Sequence, residues 1–431
     1  MQPEFVPTVR INDYAEPIFS VEVDAIRESV SDFAAQLRLE SEPMLEQASA
    51  ETGLDDYGDE GFRARLDIIL GSLIKEAGLS PFGVLSNHTF LLGLLKNRLQ
   101  IESLIAKHPE ISEIPIDRPI FIVGLPRTGT THLHNLISSD SSLRSLPYWE
   151  SLEPVLPESE RLITPDPRYA RTQVAVDWID AAMPLFKRMH DMTVNHVHEE
   201  IQLLAIDFSS MLFESMAHLP SVRDDYLARD QTPHYEYLTK ILQVLNWLDA
   251  RKAESAGEPP RPARRWLLKS PQHGEQLKVL ARVFPDASFV VTHRDPVAVT
   301  TSVATMVTYG ARMSVANPDP IVYGRYWSDR VEDLLRGVAT DRDLLPDSRT
   351  IDVCFDDFMR DDVAMVKRVF EVCDQPFSPS AEVAMHAFME RHPRGRHGTV
   401  VYTLEDFGVD PDERRKALAF YSDKFGVGRS A

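Results

Sequence analysis

One stretch of this chain has the residue types and spacing of an anion-binding loop: Gly124-Leu125-Pro126-Arg127-Thr128-Gly129-Thr130-Thr131. It follows the continuous apolar run Ile120–Val123, which reads as a strand buried on both faces. It precedes a helical pattern that puts Leu133, Leu136 and Ile137 on one face. In a strand–loop–helix of this kind, backbone N–H groups and the helix N-terminus converge on a phosphate-like anion. The glycines let the backbone come close to it. The spacing is that of a nucleoside-triphosphatase loop with one change. Thr130 stands where the ATP and GTP enzymes carry the lysine that reaches the β- and γ-phosphates. That change argues against γ-phosphate chemistry and leaves Arg127 as the loop's cation.

Further cations recur at the ends of other apolar runs. His293-Arg294-Asp295-Pro296 closes the run Phe289–Val291, with Asp295 suited to cap a helix and Pro296 to open it. Arg294 therefore falls at the C-terminal end of a strand, where open α/β sheets bind ligands. Its planar fork can grip phosphate oxygens in pairs. Ser302 follows on the predicted helix. Lys269 closes the run Trp266-Leu267-Leu268, and Ser270-Pro271-Gln272-His273 comes next. A basic cluster, Arg391-His392-Pro393-Arg394-Gly395-Arg396-His397-Gly398, opposes the acid trend of the chain, and its glycines suit a lid over 391–408. Candidate bases gather at His190, His196, His198, Glu199 and Glu200. His196 and Glu200 are expected on one face of a helix continuing through Ile201, Leu204, Ala205 and Phe208. No metal is expected, because His-x-His-Glu-Glu lacks the H-E-x-x-H spacing and no cysteine is near.

Taken together, these motifs resemble the sulfotransferases that use 3′-phosphoadenylyl sulfate (PAPS), in particular their bacterial branch. Pro126–Thr131 is similar to that family's loop P-[KR]-[ST]-G-[ST]-[ST], Arg294-Asp295-Pro296 to its R-[ND]-P, and Leu268–His273 to an L-K-S-P-x-H stretch followed by F-P-D-A, here Phe284–Ala287. The resemblance implies that Pro126, Arg127, Thr128, Gly129, Thr130 and Thr131 hold the 5′-phosphosulfate. Arg127 would neutralise charge on the bridging oxygen, and Arg294 with Ser302 would hold the 3′-phosphate. Lys269 is then expected to face the transferring sulfuryl group, with His273 as a base or an orienting residue. The basic loop is similar to the family's lid, with Arg394 and Arg396 both open as 3′-phosphate ligands. Glu200 is the first expectation for the general base, then His190 and His273.

The implied reaction is in-line transfer of a sulfuryl group from PAPS to a hydroxyl, with adenosine 3′,5′-bisphosphate as product and no metal. A small-molecule kinase and a non-catalytic PAPS-binding relative remain as alternatives. The acceptor is expected to be a small apolar or amphipathic alcohol, such as a lipid, sterol or phenol. Tyr148, Trp149, Met183, Phe186, Met189, Met211, Phe213 and Met216 enrich the segment 148–216 in adaptable apolar side chains.

Positioning these residues takes a parallel sheet. The apolar runs at 120–123, 266–268, 289–291 and 351–355 alternate with helical stretches, which predicts a P-loop-like, doubly wound α/β fold flanked by helices. It should occupy 113–431, after a helical region at 1–112 in which Phe62, Leu66, Ile69, Leu73 and Leu91, Leu94, Leu95, Leu99 fall at helical spacing. Ile114–Pro119 reads as a connector and Glu254–Arg261 as a surface loop. The 431 residues are 43% hydrophobic and 26% charged, which fits a folded globular chain and excludes a disordered one. Lys and Arg number 46 against 66 Asp and Glu, and the net charge of −20 speaks against a nucleic acid partner. Two cysteines, Cys354 and Cys373, suit a reducing compartment. No apolar run approaches the about 20 residues of a membrane span, and Met1–Phe5 lacks a targeting pattern. A cytoplasmic protein is expected, with a homo-oligomer left open.

Overall fold

The computed structural model describes residues 8–259 and 262–428. The opening Met1–Phe5 and two residues of the expected surface loop, 260 and 261, lie outside the described residues. The rest of that loop differs from expectation at its start, because the helix Thr232–Ser255 runs into it.

Among the described residues seven strands are present: β1 (Val9–Arg10), β2 (Ile120–Val123), β3 (Leu143–Arg144), β4 (Arg265–Ser270), β5 (Ser288–His293), β6 (Thr350–Cys354) and β7 (Val400–Val401). Five form one parallel sheet in the order β3-β4-β2-β5-β6. The four residues of β2 are all buried, as a strand covered by helices on both faces must be. Strand β2 lies at the switch point: the chain leaves it for β3 at one edge, returns through β4, and then crosses to β5 on its other side. Val123 pairs with Ser270 and with Val291, so the three strands end nearly level. The segments that follow them, 124–131, 271–276 and 294–296, leave from one edge of the sheet. Ligand crevices form at that edge of a doubly wound sheet.

The predicted strands differ from the observed ones by a residue or two. At the end of β6, Phe355 turns out of the strand and opens the helix Phe355–Arg360. The edge strand β3 and the small parallel pair β1–β7 had no counterpart in the predicted elements. In that pair Val9 N–H donates to the Thr399 carbonyl at 3.1 Å, the Thr8 and Thr399 hydroxyls lie 3.0 Å apart, and Arg10 forms an ion pair with Asp406.

The N-terminal helices, among them Phe62–Lys75 and the 27-residue Pro81–Lys107, bury the stripes expected of them. They share one continuous hydrophobic cluster with Phe121, Leu268 and Phe289 of the sheet. No break in that core occurs between 112 and 113. Two buried arginines fasten the layers. Arg65 and Arg98 both reach the carboxylate of Asp207, at 2.9 and 2.7 Å, and His234 completes the group. Among the described residues, no helix is long and apolar enough to cross a membrane.

Candidate active site

The loop after β2 bends through two left-handed residues, Arg127 at φ 74° and Gly129 at φ 87°. At Gly124 only a hydrogen fits, because a Cβ there would lie 1.9 Å from the Thr292 hydroxyl oxygen of β5. The Thr128 hydroxyl faces the same way, 2.7 Å from both the Leu125 carbonyl and the Thr292 hydroxyl. It braces the loop from behind. Helix Thr130–Ser138 starts at Gly129, and among the described residues no side chain caps its N-terminus. Its first N–H groups and the positive end of its dipole therefore face the crevice.

Arg127 sends Nη1 to the Met189 carbonyl at 2.5 Å, while its buried Nε has no partner among the described residues. Arg294 Nη1 donates to the Arg127 carbonyl at 2.6 Å, and its guanidinium lies 4.1 Å over the ring of Phe355. Burial, then the nearby Arg127, pushes the Arg294 pKa down. Two cations held this close are stabilised by an anion between them. Asp295 caps the helix Pro296–Gly310 as expected, its carboxylate accepting from Val297 N–H at 3.1 Å. Ser302 is buried on that helix and accepts a 2.9 Å hydrogen bond from the Tyr402 hydroxyl, so the segment expected as a lid is tied to the helix there.

Both lid arginines are held by carboxylates. Arg394 pairs with Asp362, which also meets His132 at 3.0 Å. Arg396 pairs with Asp191, which lies 3.1 Å from His397.

At the end of β4 the Lys269 ammonium is buried and paired with Glu199. Its backbone N–H donates to Glu200 Oε2 at 2.8 Å. The other Glu200 oxygen meets His273 Nε2, and His273 Nδ1 lies 2.8 Å from the Tyr235 hydroxyl. Glu200 and His273 are fully buried. Both of their hydrogen-bonding ends are spent within this chain of contacts behind Lys269.

The segment before Glu200 is not helical, which corrects the expected pairing of His196 and Glu200 on one helix face. The helix begins at Ile201. Residues 196–198 instead pair with 146–148: Tyr148 N–H donates to the His196 carbonyl at 2.9 Å and His198 N–H to the Leu146 carbonyl at 2.7 Å. In extended chain, alternate residues share a side, so His196 and His198 both face inward. His190, after the turn at 186–188, joins them. Desolvation, aided by their mutual repulsion and by Lys269, keeps these imidazoles neutral. It holds His190 and His198 well below the usual range and His196 at about 4.

A cavity of about 1250 Å³ runs along this edge. Pro126, Arg127, Gly129, Thr130, Thr131, Arg294, Arg394, Arg396 and His190 line it. Glu199, His196 and His198 line it as well. Thr128, Ser302, Lys269, Glu200 and His273 stand behind its wall. Away from the basic loop the lining is apolar, with Phe90, Met183, Met211, Met216, Met306, Met313 and Trp327. Glu199 was named in the sequence only beside Glu200, and no periodicity separates two adjacent carboxylates that flank a turn. Phe355 and Tyr402 gave no signal, because their roles come from contacts across the sheet.

A sequence model of the sulfotransferase family matches residues 119–379, which contain the loop, Lys269 and Arg294. The chain belongs to the sulfotransferase family. Its curated relatives include omega-hydroxy-beta-dihydromenaquinone-9 sulfotransferase Stf3 of Mycobacterium bovis, 24% identical over 271 residues. That match covers 59% of this chain and 62% of the relative, so the chain spans less than two thirds of that relative's length. The fold is similar to crystal structures of sulfotransferase STF9 from Mycobacterium avium and STF1 from Mycobacterium tuberculosis. STF9 gives a TM-score of 0.77 at 25% identity, over 91% of this chain and 98% of that one. STF1 gives 0.74 at 26%, over 88% and 98%.

Proposed function

We propose that this chain transfers a sulfuryl group from PAPS to the hydroxyl of an apolar or amphipathic small molecule. The observation that carries the reading is the meeting of the Thr130 loop and Arg294 in one cavity that continues into a Met-rich apolar lining. The residues fit the donor: an uncapped helix N-terminus, an unpartnered Arg127 Nε and two close guanidiniums suit a nucleotide with two anionic ends. When bound, PAPS supplies the sulfuryl group and leaves as adenosine 3′,5′-bisphosphate.

The chain's own residues then divide the work. Thr130, Thr131 and the loop amides bind the 5′ end, with Arg127 on the bridging oxygen. Arg294 binds the 3′-phosphate, and Ser302, through Tyr402, fastens the lid over it. Arg394 and Arg396, paired here with Asp362 and Asp191, would hold phosphate oxygens of the bound donor. Glu199 takes the acceptor's hydroxyl proton, because its carboxylate is in the cavity wall. Once Glu199 is protonated, its hold on Lys269 weakens, and the ammonium turns to the charge growing on the leaving oxygen. Glu200, the first expectation for the base, has a positioning role with His273: together they fix the end of β4 and so Lys269. His190 belongs to the imidazole wall. The Met-rich lining, and a relative whose name gives a hydroxylated menaquinone as its substrate, both support an apolar alcohol as acceptor.

The test is transfer of radiolabelled sulfate from PAPS to a pool of hydroxyl compounds, with calorimetry of adenosine 3′,5′-bisphosphate alongside. Sub-millimolar bisphosphate binding and labelled product are expected. Glu199→Gln should lower kcat by about 100-fold or more with bisphosphate affinity kept. Bisphosphate binding without transfer to any compound would mark a non-catalytic relative.

A further inference from the structure

Three imidazoles in the cavity wall have no role in that scheme. His190, His196 and His198 bring one ring nitrogen each to within 4.8 Å of the others. They come from two short stretches held by different contacts: the turn at 186–188, and the pairing of 196–198 with 146–148. His196 and His198 are more than nine-tenths buried. Both ring nitrogens of His198, and Nε2 of His196, have no hydrogen-bond partner among the described residues. A buried polar atom without a partner costs about 1–3 kcal/mol, so the unpartnered nitrogens of His196 and His198, on rings that converge with His190 on one point, call for an occupant.

We propose that His190, His196 and His198 form a site for a first-row divalent cation of the zinc class, with a coordination position left open toward the acceptor cavity. Imidazole nitrogen suits Zn²⁺, Co²⁺, Ni²⁺ and Cu²⁺. Three protein ligands with one open position is the pattern of zinc sites that take a water or a substrate oxygen. Zinc–nitrogen bonds of about 2.0–2.1 Å require the rings to close in by about 1 Å, within reach of side-chain rotation. All three line the cavity, so a cation has a way in and an acceptor oxygen a way to it. The charges around the site are mixed. Lys269 and Arg127 oppose a cation, while Glu199, paired with Lys269, and Asp191 favour one.

The test uses the full, tag-free chain stripped with EDTA. Titration with Co²⁺ should give the visible bands of a four-coordinate imidazole site at one cation per chain, and Zn²⁺ should abolish them. His196→Asn and His198→Asn should each weaken Co²⁺ binding by about 10- to 100-fold. Lys269→Met, which removes an opposing charge, should tighten it. X-ray absorption of the zinc-loaded, unmutated chain should count three imidazoles, and this arm needs no variant to fold. No Co²⁺ bands at millimolar cation, unchanged binding in both histidine variants, or fewer than three imidazoles around zinc would each overturn the site. Bisphosphate calorimetry on the same preparation reads the donor site separately, so the two proposals fail independently.

Discussion

Arg294, the proposed 3′-phosphate ligand, is held in place by the chain's own groups. Phe355 supports its flat face, the Arg127 carbonyl fixes one edge, and the second guanidinium nearby raises the cost of leaving the site empty. Arg294→Ala removes charge-assisted hydrogen bonds of about 1.5–3 kcal/mol. Adenosine 3′,5′-bisphosphate should then bind about 10- to 100-fold more weakly by calorimetry, with the melting temperature nearly unchanged. A second residue-level effect lies away from the site. Burial alone would raise the pKa of Asp352, but His293 and Arg342, both at 2.8 Å, outweigh it and hold the carboxyl at about 2 against an ordinary 3.8. A carboxyl lowered by folding stabilises above its unfolded pKa, and that contribution disappears as pH falls through the folded one. The side chain is 39% exposed, so solvent screening reduces the effect to about 1 kcal/mol. Urea unfolding should find Asp352→Asn less stable by this amount at pH 7, with the difference shrinking between about pH 4 and pH 2. A difference that persists at the acid end would show that the pair acts through packing rather than charge.

At the scale of elements, the lid depends on strands two residues long. Strand β1 holds β7 through the Val9 N–H, the threonine pair and the Arg10–Asp406 ion pair, and the arginines at 391–396 hang from that anchor. Val9→Pro deletes the donor. Limited proteolysis should then cut within 391–403 faster, and bisphosphate should protect the segment less, while the core unfolds at the same temperature. Such short strands have no period to read, which is why neither appeared among the predicted elements. The central strands were legible for the opposite reason: three or four apolar residues in a row, buried on both faces, leave little else for Ile120–Val123 or Phe289–Val291 to be. The loop was legible as a loop because its signal lies in backbone and spacing. Which of the two adjacent glutamates lines the cavity was not. Glu199 and Glu200 differ by one position around a turn, and only the contacts of β4 decide which faces the cavity and which supports Lys269.

Over the whole molecule, the charge of −20 is a property of the outside, and the basic groups of the site are an inward exception assembled from four separated stretches. The cavity continues past them into a wall of methionines and aromatics, which on the proposed function would set the acceptor's size and polarity. Met306→Trp would fill part of that wall. Turnover of a long-chain alcohol should fall, that of a short phenol should persist, and bisphosphate affinity should stay the same. Equal loss for both acceptors would place the apolar end outside the acceptor's path. The small pair β1–β7 has one more consequence. Thr8 and Thr399, its partners in the clamp, are 391 residues apart. A ribosome therefore makes one half of the clamp 391 residues before the other. The growing chain can build the phosphate loop, β4 and β5 long before it can fasten the lid. On the proposed function, tight nucleotide capture is thus expected only once the chain has been made past Val401, so that products stopping before it carry the loop without the clamp.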